Sequence, residues 1–210
     1  IETHIRQVIK YRPPDMRLVL IGVDDSGQRP LGELVQTELY GRELFFLPVM
    51  HCNPTDVNAA AKSLFQSVTL RFFMNFLRFS GKIRKLTQEM PYSFDIQRYE
   101  FSWLCRLFGF PYVLTTHGDA DPNQPMDSLL SRYWFVHRFN EKHAVKAARY
   151  VYSVNEQQTA RLKQDYPQAA ARTEFMTVSV DDQLFQATPY LHTDGPLKIA
   201  FVGRLDTFKR

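Results

Sequence analysis

Three residues near the end of the sequence have the types and spacing that bind a phosphate group. Gly203 and Arg204 follow a short apolar run, and Lys209 lies five residues beyond Arg204. A glycine lets the backbone approach a ligand closely, and an arginine holds phosphate oxygens at two points. With a lysine added, these groups suit a diphosphate and would stabilise charge that grows on a diphosphate leaving group. The alternative is a turn that carries two solvated cations.

A histidine follows another predicted strand, at 111–116. His117, Gly118 and Asp119 come directly after it. Ligands of open parallel sheets bind beyond the carboxyl ends of the strands, and an imidazole there can hydrogen-bond a hydroxyl or a phosphate near neutral pH. Asp119 would orient that imidazole or a substrate hydroxyl. The alternatives are a strand-end histidine satisfied by the backbone and a solvated loop acid.

The basic excess of the chain is concentrated in one segment. The formal net charge is +4, yet residues 57–88 contain six basic residues and no acid. Helical spacing gives this segment an apolar stripe with a basic stripe beside it. The apolar stripe consists of Phe65, Val68, Phe72, Phe76, Phe79, Ile83 and Leu86, and the basic stripe of Arg71, Arg78, Lys82 and Lys85.

An apolar face beside a basic face is typical of helices that lie on an anionic membrane surface. We therefore predict that the four basic residues face a membrane. Further apolar residues off the main stripe favour this prediction, and they are Leu64, Leu70, Phe73 and Leu77. The alternative is a core-facing helix with a solvated basic edge.

Several other kinds of site are not indicated. The remaining histidines lack the spacing of metal ligands, so no metal site is expected. No serine or cysteine lies in a nucleophile elbow, and no G-x-G-x-x-G occurs. The chain has two cysteines, Cys52 and Cys105, which suits packing residues in a reducing compartment. There is no apolar run of about 18 residues and no secretory signal.

The elements that must position these residues alternate along the chain. The composition, with 44% hydrophobic and 14% aromatic residues, is that of a folded globular protein. Strands are predicted at 17–23, 43–49, 93–97, 111–116, 150–154, 174–180 and 197–202, and helices at 2–11, 56–77, 99–108, 128–149 and 156–165. Such alternation predicts an α/β fold with a Rossmann-like, mostly parallel sheet and helices on both faces.

Single residues refine these boundaries. Pro48 is expected at the end of its strand, because proline cannot donate to a neighbouring strand. Ser80 and Gly81 are expected to break or kink the basic helix. Gly109 is expected to close the helix at 99–108. Tyr133, Trp134 and Phe135 begin a helix and are expected in the core.

The chain divides into three predicted parts. Residues 1–187 form the sheet domain, the polar stretch 188–196 is a linker, and residues 197–210 begin a second domain. Because the sequence starts at Ile1 and stops just after a predicted strand, we expect a fragment of a longer protein.

Five segments match a set of motifs in a fixed order. Residues 1–4 match "GG-I/V-E-x-H" after its glycines, and 111–118 match "P-x-V-x-T-x-H-G/D". Residues 141–154 match an "E-K…A-D-x-V…S" helix and strand, 178–185 match "N-G-V-D-x-x-x-F", and 201–209 match "VGRL…KG". Together these segments resemble the family 4 GT-B glycosyltransferases over nearly the whole chain.

The sequence departs from the family pattern at some positions. Ser179 and Arg210 stand where the family usually has glycine. The family's first strand and Gly-Gly loop would precede Ile1, and most of its donor-binding domain would follow Arg210. The resemblance therefore implies a GT-B N-terminal, acceptor-side domain that is truncated at both ends and inactive by itself.

The resemblance implies a retaining transferase that moves a sugar from a nucleotide diphosphate sugar, of UDP or GDP type, to a glycan or lipid-linked acceptor. Bacterial polysaccharide or glycolipid synthesis is the expected setting, and the expected location is the cytoplasm, at the inner face of the membrane. No metal and no tightly bound cofactor is expected, because side chains and helix N-termini hold the diphosphate.

The resemblance also assigns residue roles. His117 matches the family's catalytic histidine, which faces the transferred sugar. Gly203, Arg204 and Lys209 match its diphosphate-binding residues. Four further residues are expected to contact the acceptor or lie in the site's loops, and they are Glu2 and Thr3, whose helix N-terminus would face an anion, and Gly118 and Asp119 beside the histidine. His4 is expected to be structural.

A second function remains open at this point. The basic segment 57–88 would also suit a nucleic-acid-binding module, provided that aromatic side chains are exposed beside the cations. In the glycosyltransferase interpretation no nucleic acid is expected as a partner.

Overall fold

The computed structural model describes residues 2–53, 67–88, 91–117 and 134–177. The helices are α1 (Glu2–Tyr11), α2 (Val68–Arg78), α3 (Ser80–Leu86), α4 (Ser102–Phe108), α5 (Trp134–Ala147) and α6 (Glu156–Asp165). The strands are β1 (Val19–Asp24), β2 (Val35–Leu39), β3 (Arg42–His51), β4 (Phe94–Ile96), β5 (Tyr112–Thr116), β6 (Tyr150–Ser153) and β7 (Thr173–Phe175). Short 3₁₀ helices cover Tyr99–Phe101 and Pro167–Arg172. The predicted domain boundary, the linker 188–196 and the segment 197–210 lie outside the described residues.

Strands β4 to β7 form a four-stranded sheet in which every neighbouring pair is parallel. The spatial order β4-β5-β6-β7 repeats the order in the sequence, so each connection must cross over one face of the sheet. Helices α4, α5 and α6 lie in these three connections. The predicted α/β class is confirmed, and this sheet is compatible with a Rossmann-like fold.

Strands β1 to β3 form a second sheet of order β1-β3-β2, and it corrects two predictions. The sequence analysis contains no strand at Val35–Leu39, yet β2 pairs there with β3 in the antiparallel direction. Tyr40 and Gly41 join the two strands with positive φ angles of 55° and 67°, as in a type I′ hairpin turn. β2 and β3 therefore form an antiparallel hairpin in a region where the sequence analysis expected parallel strands.

Pro48 lies inside β3, so its expected place at the end of a strand is wrong. It faces Gly22 of the parallel strand β1, and the register of the pair shifts directly afterwards, between Gly22 and Val23. The carbonyl oxygen of Pro48 accepts a hydrogen bond of 2.7 Å from the backbone N–H of Gly32. Because Gly22 pairs with Pro48 and Val23 pairs with Met50, Val49 is an extra residue in β3. This bulge directly after Pro48 accommodates the missing N–H donor, and β3 continues to His51.

The basic segment forms two helices that are separated at Phe79. Ser67 caps α2 by accepting a hydrogen bond from the backbone N–H of Leu70, whereas the predicted cap Asp56 lies outside the described residues. The helix breaks one residue before the expected Ser80-Gly81 pair. Phe79 packs against the core instead of continuing the helix.

Gly32 gives Phe79 the space that this packing requires. Gly32 has φ +73°, and a Cβ atom placed on it would lie 2.4 Å from the Phe79 ring. Any larger residue would therefore combine an unfavourable backbone conformation with a steric clash.

We expect Gly32→Ala to lower the free energy of unfolding by about 3 kcal/mol, because overpacking adds to the cost of a left-handed alanine. Gly27→Ala is the matched control, since Gly27 has φ +68° and open space around its Cβ position. Chemical denaturation of the two variants measures the difference. Equal losses in the two variants would contradict the packing role of Gly32.

A buried ion-pair network joins α5 to α6. The Glu141 carboxylate has no exposure to solvent. It accepts hydrogen bonds from Arg138 at 2.6 Å, from Arg161 at 2.7 Å and from the Tyr166 hydroxyl at 2.7 Å. Asp165 also accepts from both arginines, at 2.9 and 3.0 Å. Burial by itself raises the pKa of Glu141, but the bonds from Arg161 and Tyr166 outweigh it and lower this pKa.

We expect Glu141→Gln to destabilise the fold by about 3 kcal/mol at neutral pH, because two arginines lose a buried counter-charge. Folding lowers the pKa of Glu141, so its ionised carboxylate stabilises the fold. This stabilisation is fully present above the ordinary glutamate pKa and is lost as the pH falls through the pKa of Glu141 in the folded protein. The gap between the wild type and Glu141→Gln should therefore narrow below about pH 4. Thermal unfolding against pH measures it, with Glu174→Gln on the exposed part of β7 as control. A gap that stays constant down to pH 2 would contradict this role of Glu141.

Candidate functional site

His117 leaves the four-stranded sheet at the carboxyl end of β5. Because β5 lies between β4 and β6 and is parallel to both, the chain leaves three neighbouring strands at the same edge. This edge is where open parallel sheets bind ligands. The predicted position of His117 beyond the end of its strand is thus observed, and the side chain is partly exposed.

Asp95 is the centre of the polar groups at this edge. One of its carboxylate oxygens accepts a hydrogen bond of 3.0 Å from the Thr115 hydroxyl. The other accepts a bond of 2.8 Å from the side-chain amide of Gln97 and lies 3.4 Å from Nε2 of His4. One carboxylate therefore connects β4, β5 and α1.

Strand pairing explains this arrangement. Asp95 is in register with Val113, and side chains alternate between the faces of a strand. Thr115, two residues after Val113, consequently lies on the same face as Asp95. A polar side chain at each strand end then meets its neighbour across the sheet.

The hydrogen bonds indicate which tautomer the His117 ring has when it is neutral. The amide nitrogen of Gln97 donates to Asp95, which can only accept when it is ionised. The carbonyl oxygen of the same side chain therefore faces His117 and accepts a hydrogen bond from its Nε2–H. The neutral ring then carries its lone pair on Nδ1, which can accept a proton or a hydrogen bond from a hydroxyl.

The second imidazole at this edge affects the charge of the first. The rings of His4 and His117 meet edge to face with centroids 5.6 Å apart. Partial burial is the main cause that lowers the pKa of His117; the positive charge of the N-terminal amino group and that of His4, when His4 is protonated, lower it further, while Asp95 acts in the opposite direction. His117 is therefore held in its neutral, hydrogen-bond-accepting form near neutral pH.

A buried network closes the sheet edge beside His117. The side-chain oxygen of Gln158 accepts hydrogen bonds from the Thr116 hydroxyl at 3.0 Å and from the Ser153 hydroxyl at 2.8 Å. Its amide nitrogen donates to the Tyr99 hydroxyl at 3.3 Å. Asn155, two residues after Ser153, caps α6 because its side-chain oxygen accepts a hydrogen bond from the backbone N–H of Gln158. These bonds fix the ends of β5 and β6, whereas His117, the next residue after β5, is partly exposed.

Some predicted site residues cannot be compared with the structure. Gly118, Asp119, Gly203, Arg204 and Lys209 lie outside the described residues. The backbone of Glu2 and Thr3 begins α1, as predicted.

Two residues of this edge were absent from the predicted site, and one had another expected role. Gln97 directly follows β4, so the rule that selected His117 would also have found it if the predicted strand had ended at Ile96, whereas Asp95 lies inside the strand. His4 was expected to be structural, whereas its ring contacts His117. Nothing in the local sequence of α1 signals this contact, because the tertiary fold alone brings the helix to the sheet edge.

The apolar stripe of α2 and α3 faces the protein core. Phe76 and Ile83 are buried, and Val68, Phe72, Phe79 and Leu86 pack against the same cluster. Phe73 and Leu77 also pack there, so their predicted contribution to the surface is wrong, while Leu70 is 39% exposed. These helices therefore match the alternative of a core-facing pair with a solvated basic edge. The predicted membrane-facing cations Arg71, Arg78, Lys82 and Lys85 are all exposed on that edge.

The first sheet has its own polar group at the carboxyl ends of β1 and β3. Asp24 is buried and accepts hydrogen bonds from Ser26 and Arg29, both at 2.8 Å, and its other oxygen lies 3.6 Å from Nε2 of His51. Burial by itself raises the pKa of Asp24, but these partners outweigh it and lower the pKa to about 2. Because every partner is internal, this group fixes the loop after β1 and leaves little capacity for a ligand.

Neither a metal-ligand cluster nor a membrane-spanning helix is present in the part of the chain that the structure describes. There, no three or more His, Cys, Asp or Glu side chains are grouped so that they could hold a metal ion. None of the helices in these ranges combines the length and the apolar character needed to cross a membrane.

The sequence was compared with known proteins. No protein-family model matches the chain, and no curated protein is significantly similar to it. The glycosyltransferase resemblance therefore rests on the motifs and on the chemistry of the residues.

We expect NMR titration of His117 to give a pKa below that of an ordinary imidazole. Replacing His4 with glutamine removes a nearby positive charge, so the pKa of His117 should rise. Asp95→Asn removes a negative charge, so the same pKa should fall. His51→Gln, in the other sheet, is the control and should leave it unchanged. Shifts of the wrong sign would show that the three groups are not coupled in solution.

Proposed function

We propose that this chain is the acceptor-side part of a retaining glycosyltransferase that uses a nucleotide diphosphate sugar. The carrying observation is His117 at the carboxyl end of an inner parallel strand, with Nε2 bound to Gln97 and Nδ1 left as the acceptor of the neutral ring. A neutral imidazole in that place supports hydrogen bonding to a sugar hydroxyl of the donor or the acceptor. This is the function that the motif resemblance implies.

Each residue has a distinct task in this proposal. His117 contacts the transferred sugar, and Gln97 and Asp95 are positioning residues that fix its ring. Arg204 and Lys209 neutralise the diphosphate as the bond to the sugar breaks, and Gly203 lets the backbone approach it. The chemistry then needs charge stabilisation and orientation from side chains rather than a metal.

The partners follow from the same proposal. The donor is a UDP or GDP sugar, the acceptor is a glycan or a lipid-linked glycan, and the reaction takes place on the cytoplasmic side of a membrane. We do not propose the nucleic-acid alternative, because the phenylalanines of the basic segment that the structure describes pack against the core instead of offering a stacking surface.

The donor half of the proposal is tested in the full-length protein. We expect Arg204→Ala and Lys209→Ala each to reduce kcat/KM for release of UDP or GDP from the sugar donor by about a hundredfold, because each removes a charge that stabilises the leaving diphosphate. Arg149→Ala, an exposed cation beside β6, is the matched control. Unchanged kinetics in both site variants would contradict the diphosphate role.

The acceptor half needs a separate measurement. His117→Ala should reduce kcat more than it weakens binding of the nucleotide alone, whereas Gln97→Leu should cause a smaller loss of kcat and a changed pH profile, because the ring loses its positioning partner. Calorimetric titration with UDP and GDP measures binding independently of turnover. Full activity in a folded His117→Ala protein would overturn the proposal.

A further inference from the structure

Helices α4 and α5 expose large apolar side chains to solvent. On α5, Phe135 is 72% exposed and Phe139 is 52% exposed, while on α4 Leu107 is 66% exposed. Phe135 was predicted to lie in the core, and this prediction is wrong because α5 turns Glu141, Ala144 and Val145 inward instead. Leu107 shares one face of α4 with Trp103, four residues earlier, and Trp103 contacts Phe139 of α5. A surface patch of large exposed apolar side chains marks an interaction site.

Side-chain contacts hold this surface in a fixed shape. The ring of Phe139 stacks on Trp103 with centroids 5.8 Å apart. The Trp103 N–H donates a 2.8 Å hydrogen bond to the side chain of Asn140. The guanidinium of Arg106 lies over the other part of the tryptophan, 4.9 Å from its centroid. A rigid aromatic surface of this kind loses little conformational entropy when it binds.

Cations surround these rings. On α5, Phe135, Phe139, Lys142 and Lys146 follow one another at spacings of four, three and four residues, so they share one face of the helix. Among the described residues, neither lysine has an acidic partner within ion-pair distance, whereas Asp165 is paired with Arg138 and Arg161. The apolar half of the face therefore continues into a half with an excess of positive charge.

An open groove lies where the two halves meet. It has a volume of about 470 Å³ and is lined by Phe139, Arg138, Lys142, Lys146, Asp165 and Tyr166. Lysine and arginine side chains at its rim can bind a phosphate, and Phe139 gives it an apolar wall. Such a groove suits an anionic headgroup whose attached chains lie toward the aromatic rings.

We propose that this surface, the α4–α5 face, binds to the surface of a bilayer that contains anionic phospholipid. It comprises Trp103, Leu107, Phe135, Phe139, Lys142 and Lys146. Phe135 and Leu107 are exposed to solvent beside these cations, and apolar side chains in that setting suit insertion between the headgroups of an anionic bilayer. The lysines beside them match the negative charge of the lipid surface.

The α4–α5 face differs from the basic edge of α2 and α3. That edge has four exposed cations, but its phenylalanines pack against the core. Attraction to an anionic surface by cations alone is weak and sensitive to salt, whereas aromatic insertion adds binding that salt does not screen. The inference needs no glycosyl transfer and does not depend on the proposed function.

Vesicle flotation tests the inference. The protein is mixed with neutral vesicles of phosphatidylcholine or with anionic vesicles that also contain roughly 30% phosphatidylglycerol. We expect binding to the anionic vesicles only, with a Phe135→Ser, Phe139→Ser double variant losing most of it. Lys142→Gln with Lys146→Gln should weaken it roughly 30-fold, about a factor of five for each lysine.

Matched variants separate this face from the basic edge. Lys82→Gln with Lys85→Gln removes two cations from α3 and should reduce binding far less than the α5 lysine pair. Quenching of tryptophan fluorescence by brominated lipid gives a second measurement, since Trp103 contacts Phe139. Circular dichroism and thermal unfolding confirm that each variant is folded.

Several results would overturn the proposal. These are undiminished vesicle binding by the folded phenylalanine variant, loss of binding only in the α3 variant, and binding to RNA without binding to anionic vesicles. Complete competition by millimolar inorganic phosphate would also overturn it, since the ligand would then be a free anion rather than a bilayer surface. Concentration-dependent dimerisation through the same residues, with no vesicle binding, would assign the face to a second copy of the chain.

Discussion

Glu141 carries a charge in a place that water does not reach, and this single constraint decides how α5 is oriented. A buried carboxylate is tolerated only when donors surround it, and here two arginines and Tyr166 supply them. Arg138 lies on α5 itself, but Arg161 lies on α6 and Tyr166 directly follows it, so the face of α5 that bears Glu141 must pack inward. A different face, with Phe139 and Lys142, consequently points to solvent.

The candidate site follows a similar principle on a smaller scale. The Asp95 carboxylate contacts Thr115, Gln97 and His4. Because the Gln97 amide nitrogen donates to Asp95, its carbonyl oxygen is left to accept from His117, and this bond orients the His117 ring. In contrast to Glu141, the Asp95 side chain is 43% exposed, so a ligand can approach the same groups. The buried hydrogen bonds of Gln158 fix the ends of β5 and β6. The partly exposed hydrogen bonds of Asp95 face the solvent. This division between a rigid support and an accessible layer is what a binding site requires.

Two surfaces with similar sequence patterns have different physical characters in the structure. The helices α2 and α3 have the stronger amphipathic pattern, but their phenylalanines fill the core and only their cations are exposed. On α5 the pattern is weaker, yet Phe135 and Phe139 are exposed to solvent next to Lys142 and Lys146, for which the described part of the chain offers no acidic partner. Amphipathicity shows that a helix has two faces and does not show what covers the apolar one.

The sequence by itself determined the local elements and the chemistry of single residues. Short-range patterns were enough for several features, because caps, turns and hydrophobic periodicity act over a few residues. These features are the bounds of α1 and α6, the break of the basic helix, the left-handed Gly109 that closes α4 and the place of His117 after β5. Only the tertiary structure decided that β2 pairs with β3, that Pro48 is tolerated inside a strand, that His4 meets His117 and that Phe135 is exposed. These depend on which distant surfaces pack together, and the free energy of that packing is shared among residues far apart in the chain.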